Sequence, residues 1–241
     1  MKIIKYKKVS GNKYEITLEN NEKIKLYEDV ILKEELLLKK EIRNLNKVLE
    51  INKEYEIYEV ALNYLNHHVL SKKGMNEYLL KKKYPQENVE KIMKLLINKG
   101  YLDDVYYAKC YINDHARLSN DGPLKIKKHL LNNGIDEDIF NDILLNFDNI
   151  WKEKIERYLK KQTSLNKKSI YYFKNKMMVN LINLGYEREM INEALSKIKI
   201  DNQEELKEKE EMKIRKKLER KYTGEELERR IKEKLYGMGF F

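Results

Sequence analysis

The sequence predicts a mainly α protein: tandem three-helix (helix-turn-helix-like) repeats in an elongated array, with a small N-terminal antiparallel β meander. Three observations carry this reading. Apolar and polar residues alternate over the first 28 positions, and helical spacing takes over afterwards. From about residue 54 the chain repeats itself, with columns 51, 51 and 54 residues apart. Gly and Pro number only 9 and 2 in 241 residues, which suits helices better than a loop-rich β protein.

In the meander, Tyr14, Ile16 and Leu18 alternate with Glu15, Thr17 and Glu19, as in a half-buried strand. Ser10-Gly11-Asn12 before it and Asn20-Asn21 after it are turn formers. Ile4 and Tyr6 on one side, and Ile24 and Leu26 on the other, continue the alternation. Three short strands are marginal alone and must pack on a neighbour. Between residues 30 and 53 the spacing turns helical, with Ile42, Leu45, Val48 and Leu49 on one stripe.

The repeat is anchored on Tyr84, Ile135, Tyr186 and Phe240. Five residues before each stands Leu79, Leu130, Leu181 or Leu235, and nine before stands Met75, Ile126, Met177 or Ile231. Gly134, Gly185 and Gly239 immediately precede the column, where a helix must stop. Ahead of each anchor helix lies a longer one, over 57–70, 105–118, 150–161 and the charged run 204–221. A third helix follows it, striped by Val89, Ile92 and Leu96, then Ile139, Ile143 and Phe147, then Met190, Ala194 and Ile198. Ser71, Pro123, Ser169 and Thr223 are start signals, and Thr223 with Glu226 spells a capping box. Between the first two repeats, Gly100 is expected as a left-handed C-cap and Asp103 as the next N-cap. Beyond it, Val105, Ala108 and Ile112 have core spacing. The segment 203–221, with Glu205 and Lys209, and Glu211 and Arg215, at i,i+4 spacing, is expected as a solvated linking helix and hinge. The expected division is 1–53 (meander plus helix), 54–102, 103–147 and 148–200 (three-helix units), and 201–241 (charged helix and incomplete fourth unit).

Lys and Arg exceed Asp and Glu by 50 to 40, a net charge of +10 that fits equally a polyanionic partner or a diffuse surplus from general Lys usage. Cys110 is the only cysteine, so neither an internal disulfide nor a cysteine zinc site is available, and it is expected buried and inert. No phosphate loop, dinucleotide fingerprint or His-Glu-x-x-His is present, and His67, His68, His115 and His129 have no metal-ligand spacing. Asp103-Asp104 reads as capping rather than as a metal pair. Nothing points to an enzyme, a cofactor or a metal. MKIIKYKKV lacks the apolar run of a signal peptide, and no segment approaches membrane-spanning length, so a cytoplasmic location is expected.

Placed on the repeat, the positions before the Met/Ile column are Gly74, Lys125, Lys176 and Arg230. In stacked units the three cations would line one edge and could track phosphates or an acidic groove. Arg117, Lys127, Lys128, Lys167 and Lys168 are further contact candidates. Tyr106-Tyr107 and Tyr171-Tyr172-Phe173 are expected in packing.

Three segments resemble the RecX family of bacterial regulators: ALNYLNHHVLSKKGMNEYLLKKKY (61–84), LLINKGYLDDVYYA (95–108) and LNNGIDEDIF (131–140). The first is similar to the family's Ala-Leu-x-x-Leu helix, Ser start and Leu-Leu anchor. His67 and His68 stand where such proteins commonly carry Arg. The resemblance covers roughly 57–240 and is best over the first two repeats. It implies a non-enzymatic regulator, a monomer that lies along the groove of the RecA–DNA filament. There it restrains strand exchange, ATP hydrolysis and repressor cleavage in recombination, repair and the SOS response. Two other classes stand beside it on the residues alone: a direct DNA-binding architectural or transcriptional regulator built from helix-turn-helix units, and a protein-binding scaffold.

Overall fold

The structure is a computed structural model that describes residues 1–164, 166, 168–199 and 203–240. Among these are a three-stranded antiparallel sheet in the order β1-β2-β3 and thirteen helices. The chain divides into two compact units, Met1–Tyr107 and Ala108–Phe241.

In the first unit, β1 (Ile3–Ser10), β2 (Lys13–Leu18) and β3 (Lys23–Tyr27) form the expected meander. Gly11 and Asn21 turn it with positive φ. Its inner face buries Ile16, Leu18, Ile24 and Leu26 against Val30, Ile31, Leu36, Ile42 and Val48. One expectation fails: Ile4 is 63% exposed and Ile3 is buried. A register shift between Ile3 and Lys5 makes Ile3 face Leu18 while Tyr6 faces Ile16. The extra residue reverses the parity of the strand, so Ile3 and Tyr6 share the core side.

The stretch after the sheet is also not one helix. Helices α1 (Glu28–Lys33) and α2 (Leu36–Lys39) are separated by Glu35 and ended by Lys40, both left-handed. Ile42 is buried in extended chain, where its N–H bonds the Met1 carbonyl at 2.8 Å. Leu49, expected on the same stripe, is exposed. Helix α3 (Leu45–Leu65) then runs without a break across position 53/54. Its first half, with Leu45, Val48, Ile51 and Tyr55, packs under the sheet, whereas Ile57 and Ala61 belong to a second core. That core holds Met75 and Leu79 of α4 (Lys72–Lys81) and Val89, Ile92 and Leu96 of α5 (Gln86–Asn98).

Both ends of α4 are fixed, the first by a side chain that the sequence announces and the second by a turn that it does not. The Ser71 hydroxyl accepts from the Gly74 N–H at 3.0 Å. Lys83 takes the left-handed φ (+64°) that Gly supplies in the other repeats. After α5, Gly100 (φ +75°) and a bond from Tyr101 N–H to the Leu96 carbonyl close the helix. Asp103 accepts from the Val105 N–H at 2.8 Å and so starts α6 (Asp104–Leu118), within which the boundary between the two units falls. Asp104 reaches back to the Lys72 N–H at 2.9 Å. Ala108 and Ile112 are buried but Val105 is 40% exposed, and Cys110 is half-buried rather than buried.

The second unit continues with α7 (Pro123–Asn132), α8 (Glu137–Leu145), α9 (Asp148–Thr163), α10 (Ile170–Asn183), α11 (Arg188–Ser196), α12 (Gln203–Leu218) and α13 (Gly224–Gly237). The columns Ile126/Leu130, Met177/Leu181 and Ile231/Leu235 are all buried. Ile135, Tyr186 and Phe240 donate their backbone N–H to Leu130, Leu181 and Leu235 at 3.1, 3.1 and 3.0 Å. This six-to-one bond around a left-handed Gly is why the two columns stand five residues apart. The third helix α8 is rotated by one residue from expectation, with Phe140 and Leu144 buried and Ile139 and Ile143 beside them. In α11 Ala194 is buried as expected, together with Ile191 and Leu195, while Met190 and Ile198 are half-buried. Neither half of the expected capping box forms: Thr223 makes no side-chain capping bond, and the Glu226 carboxylate is engaged with Arg229 and Arg230. Helix α12 is more than a linker: Ile214 and Leu218 form a core with Ile231, Leu235 and Phe240.

Adjacent repeats in this unit meet through backbone. The Gly122 and Leu124 N–H groups bond the Leu184 and Gly185 carbonyls at 2.7 and 2.9 Å. A Cβ on Gly122 would meet Gly185 carbon and oxygen at 2.5 Å, so only Gly permits the approach. One repeat further on, the Ser169 hydroxyl donates to the Met238 carbonyl at 2.6 Å and caps α10 by accepting from Tyr172 N–H at 3.2 Å. In both joints the start of one anchor helix seats the left-handed turn that ends the next.

Candidate nucleic-acid interface

The basic residues expected to form an interface are placed by α6, α7, α10 and α13. Lys125 is exposed on the first turn of α7, but its ammonium lies 2.6 Å from the Asp121 carboxylate. Asp121 also takes His115 Nδ1 at 3.2 Å. Burial pushes the Asp121 carboxyl up, yet the hydrogen bonds from Lys125 and His115 outweigh it and hold the group below its ordinary range. Beneath this pair Lys154 donates to the His115 and Asp121 carbonyls at 3.1 and 3.2 Å and lies 4.9 Å over the Trp151 ring. Its burial lowers the ammonium pKa. The Tyr186 hydroxyl, raised to about 12 by burial, donates to the Asn120 carbonyl at 3.3 Å. The 119–122 loop is thus held from three sides.

Arg230 lies 2.7 Å from Glu226 and 4.4 Å over the Tyr222 ring. Lys127 is paired with Glu137 at 2.7 Å, which holds that carboxyl low. Arg117 is exposed and donates to Asn113 at 2.8 Å, without an ion pair among the described residues. Lys128 and Lys176 are exposed and likewise carry no ion pair among those residues. Lys168 lies 5.9 Å over the Tyr172 ring and shares a cleft of about 210 Å³ with Tyr172 and Lys176. Lys167 lies outside the described residues. Lys168 and Lys176 therefore converge, while Lys125, Lys127 and Arg230 each already face a carboxylate. Exposed pairs of this kind are worth only about 0–1 kcal/mol, so a phosphate or a second carboxylate can replace the internal partner.

Two of the histidines, His115 and His129, are taken up in packing, while His67 and His68 are exposed. Tyr111 stacks on His115 and His129 at 4.0 and 4.1 Å, and burial, then His115, lowers the His129 pKa. Among the described residues no group of three His, Cys, Asp or Glu side chains could hold a metal, and no helix is long and apolar enough to cross a membrane.

Four further exposed cations that reasoning from sequence did not single out are Lys5, Lys7, Lys23 and Lys25. All four are exposed on the strands, on the side of the sheet away from the core. The signal for them was the same alternation that marks Ile16, Leu18, Ile24 and Leu26 as core, since the intervening residues must face outward.

Comparison with known proteins follows the fold. No family model matches the chain. Regulatory protein RecX of Halalkalibacterium halodurans is 32% identical over 192 residues, covering 76% of this chain and 71% of the relative. Regulatory protein RecX of Bacillus cereus strain G9842 is 31% identical over 193 residues, covering 76% and 70%. A crystal structure of regulatory protein RecX matches 81% of this chain and 99% of its own with a TM-score of 0.66 at 22% identity. The crystal structure of RecX from Lactobacillus salivarius matches 61% and 96% with a TM-score of 0.54 at 25% identity. On this identity and coverage, the chain belongs to the RecX family of regulatory proteins.

Proposed function

We propose that this protein binds the RecA–DNA filament and restrains its recombinase, ATPase and coprotease activities, acting in the cytoplasm as a monomer without catalysis of its own. The observation that carries this reading is the 32% identity to a RecX regulatory protein across three quarters of the chain. The repeats add a physical reason. Several weak contacts on one chain, each opposite an equivalent position of a repeating filament, multiply through effective concentration. The contacts in this reading are Lys125, Lys176 and Arg230, with Arg117, Lys127, Lys128, Lys167 and Lys168 around them, facing phosphates or acidic side chains in the groove.

A direct DNA-binding regulator is the second reading, favoured by the exposed Lys128 and Lys176, which carry no ion pair among the described residues. Co-sedimentation separates the two. The filament reading expects this protein to pellet with RecA assembled on single-stranded DNA at about 0.15 M salt and to leave free duplex of equal nucleotide concentration unbound. Pelleting with duplex alone, and no added binding when RecA is present, would replace it by the second reading.

A further inference from the structure

We infer that the outward face of the N-terminal sheet is a second polyanion site, a lysine platform that takes the phosphodiester backbone of nucleic acid. The register sets it. Lys5 stands opposite Thr17 and Thr17 opposite Lys23; Lys7 stands opposite Glu15 and Glu15 opposite Lys25. Directly opposed residues of antiparallel strands point to the same side, so two rows run across the sheet, Lys–Thr–Lys and Lys–Glu–Lys. The opposite side carries the buried Ile16, Leu18, Ile24 and Leu26, which fixes these six as the solvent face. Same-side residues two apart on a strand lie about 7 Å apart, and the outer strands of three lie about 10 Å apart. Four ammonium groups therefore share a patch of nucleotide dimensions.

Most of the charge there is unspent. Glu15 is the only carboxylate in the two rows; it is half-buried, and Lys23 lies 3.6 Å from it. Lys5, Lys7 and Lys25 carry no ion pair among the described residues, and β1 contains Lys5, Lys7 and Lys8 but no acid. On the helices, by contrast, Lys125, Lys127 and Arg230 each face a carboxylate. Lys5, Lys7 and Lys25, like Lys128 and Lys176 on the helices, can take an external polyanion with no internal pair to break, and on the sheet three such cations share one face with Lys23, whose one carboxylate partner is Glu15.

The chemistry also says how the ligand is held. The two rows offer ammonium groups and the Thr17 hydroxyl but no aromatic ring, Arg fork or amide, so there is nothing to stack on a base or read its edge. Binding is to the backbone, independent of sequence and strongly salt-dependent. The platform is also rigid. Asn52 of α3 accepts from the Tyr27 N–H at 2.9 Å and donates to the Lys25 carbonyl at 3.2 Å, which seals the β3 edge. The start of β1 is held by Ile3 N–H on the Lys40 carbonyl at 2.9 Å. This site needs no recombinase, so it stands or falls separately from the filament reading.

The test is fluorescence anisotropy of the full chain with a labelled 40-mer of thymidylate and with a 40-base-pair duplex, between 50 and 300 mM NaCl, without RecA. The fourfold variant K5Q/K7Q/K23Q/K25Q removes only exposed ammonium groups, and its far-UV spectrum and thermal midpoint are read alongside. We expect an affinity at least tenfold weaker at 50 mM NaCl. The slope of log K against log salt should fall by about 2 to 3 on single strands, four contacts at roughly 0.7 each. Unlabelled polyphosphate should displace the oligonucleotide, and polyglutamate of equal charge should displace it far less. Unchanged affinity and slope in a folded variant, or no binding by the wild type at 50 mM NaCl, would overturn the proposal. Equal displacement by polyglutamate would also overturn it and assign the face to an acidic protein. Should the variant lose its fold, the wild-type salt slope and the competition decide alone.

Discussion

At the scale of single residues, the left-handed turns divide into two kinds that look alike in sequence. Gly100 and Gly185 both have positive φ, +75° and +88°. A Cβ on Gly100 would meet nothing within 4 Å, whereas on Gly185 it would meet the Lys125 nitrogen and Cβ at 2.6 Å. The first needs Gly only for its backbone conformation, and Gly100→Ala should cost about 1 kcal/mol. The second is also a contact between repeats, so Gly185→Ala should cost about 3 kcal/mol, roughly 1 from conformation and 2 from overpacking. Urea unfolding of the two variants checks this, and equal losses would show that the joint between repeats is not tightly closed. That these residues end helices was legible, because a left-handed C-cap strongly favours Gly. That Gly185 also seats the next helix start was not, since the sequence carries no record of which turn lies against which cap. Lys83 shows the converse. It holds the same left-handed position without Gly, which is why the first repeat lacked the signal.

Elements were legible in number and kind where one period dominates over a long run. They failed where two phases fit equally. In α8, Ile139, Phe140, Ile143 and Leu144 form a wide apolar stripe, and only the opposing helices choose Phe140 and Leu144 as its centre. In β1 the bulge before Lys5 is invisible to alternation because either Ile3 or Ile4 could face inward. Helix starts separate in the same way. Ser169 is 1% exposed, caps α10 and donates to the Met238 carbonyl, while Thr223 makes no capping bond. Ser169→Ala should therefore cost about 1 kcal/mol for the cap and a further 1 or more for the buried carbonyl left unpaired. Thr223→Ala should stay within about 0.5 kcal/mol. Thermal unfolding of both decides it; a Thr223 variant as damaged as the Ser169 one would mean that the cap forms in solution after all.

For the whole molecule, the surplus charge explains less than its distribution. The +10 of the chain is spent unevenly. Helical cations such as Lys125 and Arg230 are balanced by Asp121 and Glu226, whereas of the four outward strand lysines only Lys23 has a carboxylate partner, Glu15, among the described residues. Composition allowed a polyanionic partner beside a merely diffuse surplus of Lys and could not place the charge, because pairing depends on which carboxylate folds beside which cation. The candidate interface was thus legible as residue types on a repeat, and its actual balance was not. The central claim is that the repeats bring these cations to a recombinase filament. Its most direct test is single-strand-dependent ATP hydrolysis by RecA, titrated with this protein below equal stoichiometry. The account predicts a falling rate, a weaker fall for the triple variant K125A/K176A/R230A, and a nearly unchanged thermal midpoint of that variant. A rate that stays level up to equal stoichiometry, with the wild-type protein folded, would contradict it.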